Sequence, residues 1–238
     1  MRETVLVIGA SSDLALEMIQ SLAEPSRQFI LHYHQNKAAI DKTLTLLDDD
    51  QVLMTFQADL SKSEDIHRLI DSIPFHVHSL LFAQGKASYH LLTDSTEKEM
   101  DELYSIHVKS TMLITQSFLP QMIARRSGNI VILSSIWGEL GASNESIYAT
   151  MKGAQLAFMK SLAKEVGPSG IRVNAIAPGM IDTKMTGHLT ETERNDWLKQ
   201  VPLMRIGQPN DVAKLTRFLF SDESSYIHGQ VIRLSGGL

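Results

Sequence analysis

The sequence predicts a single α/β domain of Rossmann type, a doubly wound, parallel, seven-stranded sheet with helices on both faces. Seven short apolar runs rich in β-branched residues recur along the chain, most of them separated by longer segments with helical periodicity. Alternating strands and helices imply right-handed crossovers, which lay helices over both faces of a parallel sheet. The 238 residues, 43% hydrophobic and 21% charged, fill and cover one large core, and no repeat, low-complexity tract or linker divides residues 1–238.

Strands are expected at residues 4–9, 29–33, 51–56, 79–83, 129–133, 171–177 and 230–234. Helices are expected at residues 14–22, 65–73, 100–123, 147–166 and 212–220. Gly167, Pro168 and Gly170 end the fourth helix, and Pro178 with Gly179 ends the sixth strand. Residues 180–209 lack a clear core role. Their mixture of Met180, Met185, Leu189, Trp197 and Met204 with polar residues suits a mobile substrate lid or an ordinary surface excursion.

Composition removes several chemistries. The absence of cysteine excludes disulfides, thiolate nucleophiles and cysteine metal sites, and is compatible with a reducing cytoplasm. A net charge of -5 without a long basic run argues against nucleic acid as a partner. The first residues run straight into an apolar strand without a signal-peptide pattern, and no apolar stretch approaches membrane-spanning length. The chain is therefore read as soluble and intracellular.

In such a sheet ligands sit at the carboxyl ends of the strands, so functional residues should follow the strands. After the first comes Gly9-Ala10-Ser11-Ser12-Asp13-Leu14-Ala15, a small-residue turn opening a helix. It would let backbone amides approach a pyrophosphate, and a plain strand-to-helix turn fits the residues equally well. Asp13 is either an N-cap or an acid pointing away from the phosphate. Tyr148 and Lys152 share a helix face four residues apart, where an ammonium beside the phenol would lower its pKa and ready it for proton transfer. A solvated Tyr/Lys face is the plainer alternative. Ser135 follows the fifth strand and reaches the same crevice, with Ser134 as its competitor for bonding a substrate oxygen.

These features, with Ala58-Asp59-Leu60, Pro178-Gly179-Met180-Ile181-Asp182-Thr183 and the terminal Leu234-Ser235-Gly236-Gly237-Leu238, resemble the short-chain dehydrogenase/reductase family over essentially the whole chain. The likeness is closest to the bacterial 3-oxoacyl-[acyl-carrier-protein] reductases. It is carried by Arg172-Val173-Asn174-Ala175-Ile176-Ala177-Pro178-Gly179, Arg205-Ile206-Gly207-Gln208-Pro209 and residues 221–230.

The resemblance implies that Ser135 polarises a carbonyl, Tyr148 gives the proton, and Lys152 also holds the nicotinamide ribose of NADP, which supplies a hydride. It implies cofactor contacts from Gly9, Ser11, Ser12, Asp13, Leu14, Tyr33, His34, Asp59, Leu60, Ala83, Gln84, Gly85, Pro178, Gly179, Ile181 and Thr183. Three departures stand out: Asp13 and Ala15 replace two fingerprint glycines, Phe82-Ala83-Gln84-Gly85 replaces Asn-Asn-Ala-Gly, and His107 stands where the family's relay Asn is expected. An imidazole there can hold the relay water but adds a titration near ~6.5.

NADPH is expected over NADH because residues 31–37 carry no acid to accept a ribose hydroxyl or repel a 2′-phosphate. The expected substrate is a small carbonyl compound or acyl thioester. Arg125 and Arg126 either receive an acyl carrier protein or pair with a helix dipole. Apolar surface on the helices at 100–123 and 147–166 suggests a homotetramer. His32 with His34, and His76 with His78, are spaced as strand neighbours on one face, without the further ligands a metal needs. The alternatives are reduction of another ketone or sugar, or a non-catalytic nucleotide sensor.

Overall fold

The computed structural model describes residues 2–187 and 189–238. Seven strands form one parallel sheet: β1 (Glu3–Ile8), β2 (Arg27–Tyr33), β3 (Val52–Gln57), β4 (Ser79–Phe82), β5 (Gly128–Leu133), β6 (Ile171–Pro178) and β7 (Val231–Leu234). Their order is β3-β2-β1-β4-β5-β6-β7. The chain winds outward from β1 to β3 and then returns to β4 on the other side of β1. The resulting switch between β1 and β4 opens a crevice at the carboxyl ends of the strands.

Side chains alternate across the pleat, so both faces are apolar. Leu6, Ile8, Ile30, Phe82, Ile130 and Val173 bury one face beneath α3 (Ser63–Asp71), α5 (Ser110–Arg125) and α7 (Ser146–Val166). Val5, Val7, Phe29, Leu31, Leu81 and Val131 bury the other beneath α1 (Asp13–Leu22), α2 (Lys37–Leu44) and α9 (Pro209–Leu219).

Four segments differ from the expected elements. The helix expected at 100–123 is α4 (Glu97–Tyr104), a π-helical turn at Ser105–Lys109, and then α5. Short helices α2 and α6 (Trp137–Leu140) arise where none was expected. Residues 180–209 contain the 3₁₀ turn Lys184–Thr186, the helix α8 (Glu191–Leu198) and a parallel bridge from Ile181 to Gly207. His76 and His78 lie in the loop before β4, so they are not strand neighbours. Among the described residues no helix is long and apolar enough to cross a membrane.

Candidate active site

The turn after β1 is shaped by close backbone approach. Gly9 has φ +83°, and a Cβ there would lie 2.5 Å from Gln84 Cα, so only glycine fits against the end of β4. Ser12, rather than Asp13, caps α1: its Oγ accepts from the Ala15 N–H at 3.0 Å. Asp13 turns its carboxylate toward the segment after β6, accepting from the Lys184 N–H at 2.9 Å. The acid is therefore engaged elsewhere and leaves the helix N-terminus to an incoming anion.

A crevice of about 450 Å³ runs over this turn, lined by Gly9, Ser11, Ser12, His34, Asp59, Leu60, Ala83, Gln84 and Gly85. These residues fit a dinucleotide: a tight glycine turn, a helix N-terminus and a hydroxyl-rich mouth. Burial opposes the charge of Asp59, but bonds from the Ser61 N–H and hydroxyl, at 3.0 and 2.7 Å, hold its carboxyl below the usual range. Leu14, Tyr33, Pro178, Ile181 and Thr183 are not among the lining residues of this crevice. Tyr33 packs in the core with Leu31 and Ile40, and Ile181 is buried beside Gly207.

His32 proves to be structural. Its Nδ1 accepts from the Gly9 N–H and its Nε2–H donates to the Ala58 carbonyl, both at 3.1 Å, tying the ends of β1 and β3 through β2. Burial pushes its pKa down to about 4.

Ser135, Tyr148 and Lys152 converge beyond the end of β5. The two serines separate cleanly: Ser134 Oγ donates to the Lys152 carbonyl at 3.0 Å, while Ser135 Oγ accepts from the Trp137 N–H at 3.2 Å and lines a cleft together with Tyr148. Gly138 on α6 packs against the backbone of Lys152, where a Cβ would lie 2.7 Å from its carbonyl carbon. The Lys152 ammonium donates to the Leu133 carbonyl at 2.9 Å and lies 5.7 Å from the Tyr148 ring centroid.

The expected lowering of the phenol by this lysine is overturned. Burial, aided by the Glu145 carboxylate, pushes Tyr148 above its ordinary value despite the Ser135 bond. Burial also brings Lys152 down to about 7, which weakens the charge that was to act on the phenol. Burial thus favours the protonated phenol.

His107 sits in the π turn, fully buried, its ring edge-on to Tyr148. Its Nε2 meets the backbone of Lys86, 3.0 Å from the carbonyl oxygen and 3.3 Å from the N–H, and its Nδ1 has no protein partner. Burial, with the Lys152 charge, lowers its pKa to about 3, so the expected titration near neutrality does not arise. The His107 carbonyl accepts from Thr111 Oγ1 at 2.8 Å and Gln155 Nε2 at 2.9 Å. Gln155, which sequence reasoning missed, is buried one turn beyond Lys152 and braces the π turn against α7.

A second cleft, of about 640 Å³, opens over Ser135 and Tyr148. Trp137 of α6 and Trp197 of α8 meet across it, ring centroids 5.4 Å apart. Residues 180–209 therefore roof a cavity, with Met180, Met185 and Leu189 facing it. Arg126 precedes β5 whereas Ser135 follows it, so they lie at opposite ends of that strand. Arg126 donates to the Pro168 carbonyl at 3.2 Å.

A dinucleotide-shaped crevice that meets a Ser/Tyr/Lys cluster at the switch of a parallel sheet defines an oxidoreductase of the Rossmann type. Residues 9–238 match the family described as Enoyl-(Acyl carrier protein) reductase. The chain is 38% identical over 242 residues to the uncharacterized oxidoreductase YmfI of Bacillus subtilis, covering 100% of this chain and 99% of that protein. It is 33% identical to the 3-oxoacyl-[acyl-carrier-protein] reductase FabG of Chlamydia trachomatis, covering 99% and 97%. The 3-oxoacyl (acyl-carrier-protein) reductase of Agrobacterium tumefaciens, solved with NADP bound, superposes with a TM-score of 0.86 at 25% identity over 99% of this chain and 94% of that one. The chain belongs to the short-chain dehydrogenase/reductase family.

Proposed function

We propose that this chain is a cytoplasmic NADPH-dependent carbonyl reductase, acting on a 3-oxoacyl thioester or a related ketone. One observation carries the reading: a buried Tyr148 lines, with Ser135, a cleft whose wall at Ala87 follows directly in the chain on Gly85 and Lys86 of the dinucleotide crevice. Ser135 orients the substrate oxygen, and Tyr148 Oη delivers a proton to it as negative charge develops. Lys152, held by the Leu133 carbonyl, lies behind the phenol to meet the nicotinamide ribose. Gly9, Ser11, Ser12 and the start of α1 would hold the pyrophosphate, and NADPH would supply the hydride. Neutral His107 presents Nδ1 as an acceptor for the water that returns a proton toward Lys152.

The preference for NADPH rests on the rim after β2, where His34 and Gln35 offer no carboxylate. The homotetramer rests on exposed Tyr104, Met112 and Ile123 along α4 and α5. A carrier protein held by Arg126 would have to serve the cleft of a partner copy, since Arg126 lies at the amino end of β5 and its own Ser135 beyond the carboxyl end.

Steady-state turnover of a short 3-oxoacyl thioester with NADPH, set beside NADH and beside nucleotide binding alone, tests the reading. Turnover with a higher specificity constant for NADPH supports it. Binding without turnover of any carbonyl compound leaves a sensor, and a higher specificity constant with NADH defeats the cofactor assignment. A monomeric mass by light scattering at micromolar concentration removes the tetramer.

A further inference from the structure

The dinucleotide crevice holds little positive charge for a ligand rich in phosphate. Among its described lining residues Lys86 is the only Lys or Arg, while Asp59 and Glu102 supply two carboxylates. A carboxylate facing a pyrophosphate is unfavourable unless a cation answers it. Asp59 is answered beside its own strand end: Ser61 bonds it twice, and Lys62 and His34 stand 3.6 and 3.9 Å away. Glu102 is answered from another segment, by the Lys86 ammonium at 2.5 Å.

Both members of this pair are carried by fixed parts of the crevice. Glu102 lies on α4, one turn before Ile106, and both line the same wall. Lys86 follows the end of β4, two residues beyond Gln84. Gln84 is buried between the turn after β1, where its backbone abuts Gly9, and α5, where its amide donates to Thr111 Oγ1 at 2.9 Å. The backbone that carries Lys86 is thus anchored, whereas its ammonium ends a flexible four-carbon stem that is about half exposed. An ion pair so exposed contributes little to folding, so exchanging one anionic partner for another costs the protein little.

We propose that Lys86 is a phosphate-binding residue of the dinucleotide crevice, held by Glu102 until nucleotide enters, and that Glu102 sets nucleotide affinity by competing for it. The proposal rests on the reading of this crevice as a nucleotide site and adds to it a cation and its counter-ion.

Isothermal titration calorimetry with NADPH and with NADH, without any carbonyl compound, tests the proposal by binding alone. Lys86→Gln should weaken NADPH about tenfold. Glu102→Gln removes the competing acid and frees the ammonium, so it should tighten NADPH several-fold. Added salt should weaken the native protein's binding more than that of Lys86→Gln. Opposite signs at the two members of one pair are the mark of competition, since damage to the fold would weaken both. Urea midpoints of the two variants should stay close to the native value. A loss shared by NADH and NADPH in Lys86→Gln assigns the pyrophosphate as the partner, and a loss confined to NADPH assigns the ribose phosphate.

Lys86→Gln binding both nucleotides as tightly as the native protein overturns the proposal. So does Glu102→Gln binding NADPH no more tightly than the native protein. A native protein that binds neither nucleotide at millimolar concentration defeats the cofactor reading and the proposal with it, whereas native binding indifferent to both variants defeats the proposal alone.

Discussion

The ring of His107 stands edge-on to that of Tyr148, centroids 5.7 Å apart and planes at 83°. The imidazole thus presents its rim to the phenol ring from within a low-dielectric pocket, and its pKa, lowered to about 3 by burial and the Lys152 charge, leaves it neutral around neutral pH. His107→Asn should preserve turnover and leave the pH–rate profile unchanged between about pH 5 and 8. His107→Ala removes the Nδ1 acceptor and should slow turnover about tenfold while nucleotide affinity holds. An Ala variant equal to the native protein in rate and profile removes the relay role.

Tyr148→Phe keeps the ring packed against His107 and removes the transferable proton. Turnover should fall by at least ~10²-fold, with nucleotide binding intact. A variant retaining most of the native rate, with chemistry limiting, would contradict the assignment.

Lys152 is a buried ammonium with a depressed pKa of about 7, so it opposes folding while charged. The unfolded chain binds this proton up to its ordinary value near 10.5, so between pH 7 and that value the unfolded state holds more protons. The contribution of this group to stability therefore rises with pH from about 7 upward. Lys152→Met should stabilise the cofactor-free protein most at pH 6 and abolish activity. Urea midpoints of both proteins at about pH 6 and 9 measure the effect, and a variant no more stable at pH 6 removes the argument.

His32 titrates in the same sense at lower pH. Its folded pKa, about 4, lies below the ordinary 6.5, so its stabilising effect is complete above pH 6.5 and is lost as pH falls toward 4. His32→Gln can keep only part of the link between the Gly9 N–H and the Ala58 carbonyl. It should lose about 1–3 kcal/mol at pH 7 and decline less steeply in acid.

Most of the sheet was legible because strands covered on both faces announce themselves as continuous apolar runs, and the half-buried edge strands β3 and β7 still carry short apolar runs. Ser135, Tyr148 and Lys152 were legible because the spacing along one helix, and the position after one strand, already bring them together. Asp13 was only half legible: its helix was visible, but its partner Lys184 lies 171 residues away, and no local pattern encodes that contact. The π turn at His107 was hidden because one extra residue per turn barely disturbs an apolar periodicity. α8 was missed for lack of a buried face: among its described residues none is buried. The electrostatics of Tyr148 were misjudged because sequence shows which charges are near but not how little water remains.

The crevice lies over the seam where Val5 pairs with Ser79 and Ile8 with Phe82, positions 74 residues apart in the chain. Closing that loop costs entropy before any contact across the seam repays it. Nascent chain ending before Ser79 can pair β1 with β2 and β2 with β3, yet it has no fourth strand against which to set Gly9. The crevice thus has only one of its walls during early synthesis, and the first third of the polypeptide emerges with an open flank of β1 that its own later segment comes to occupy.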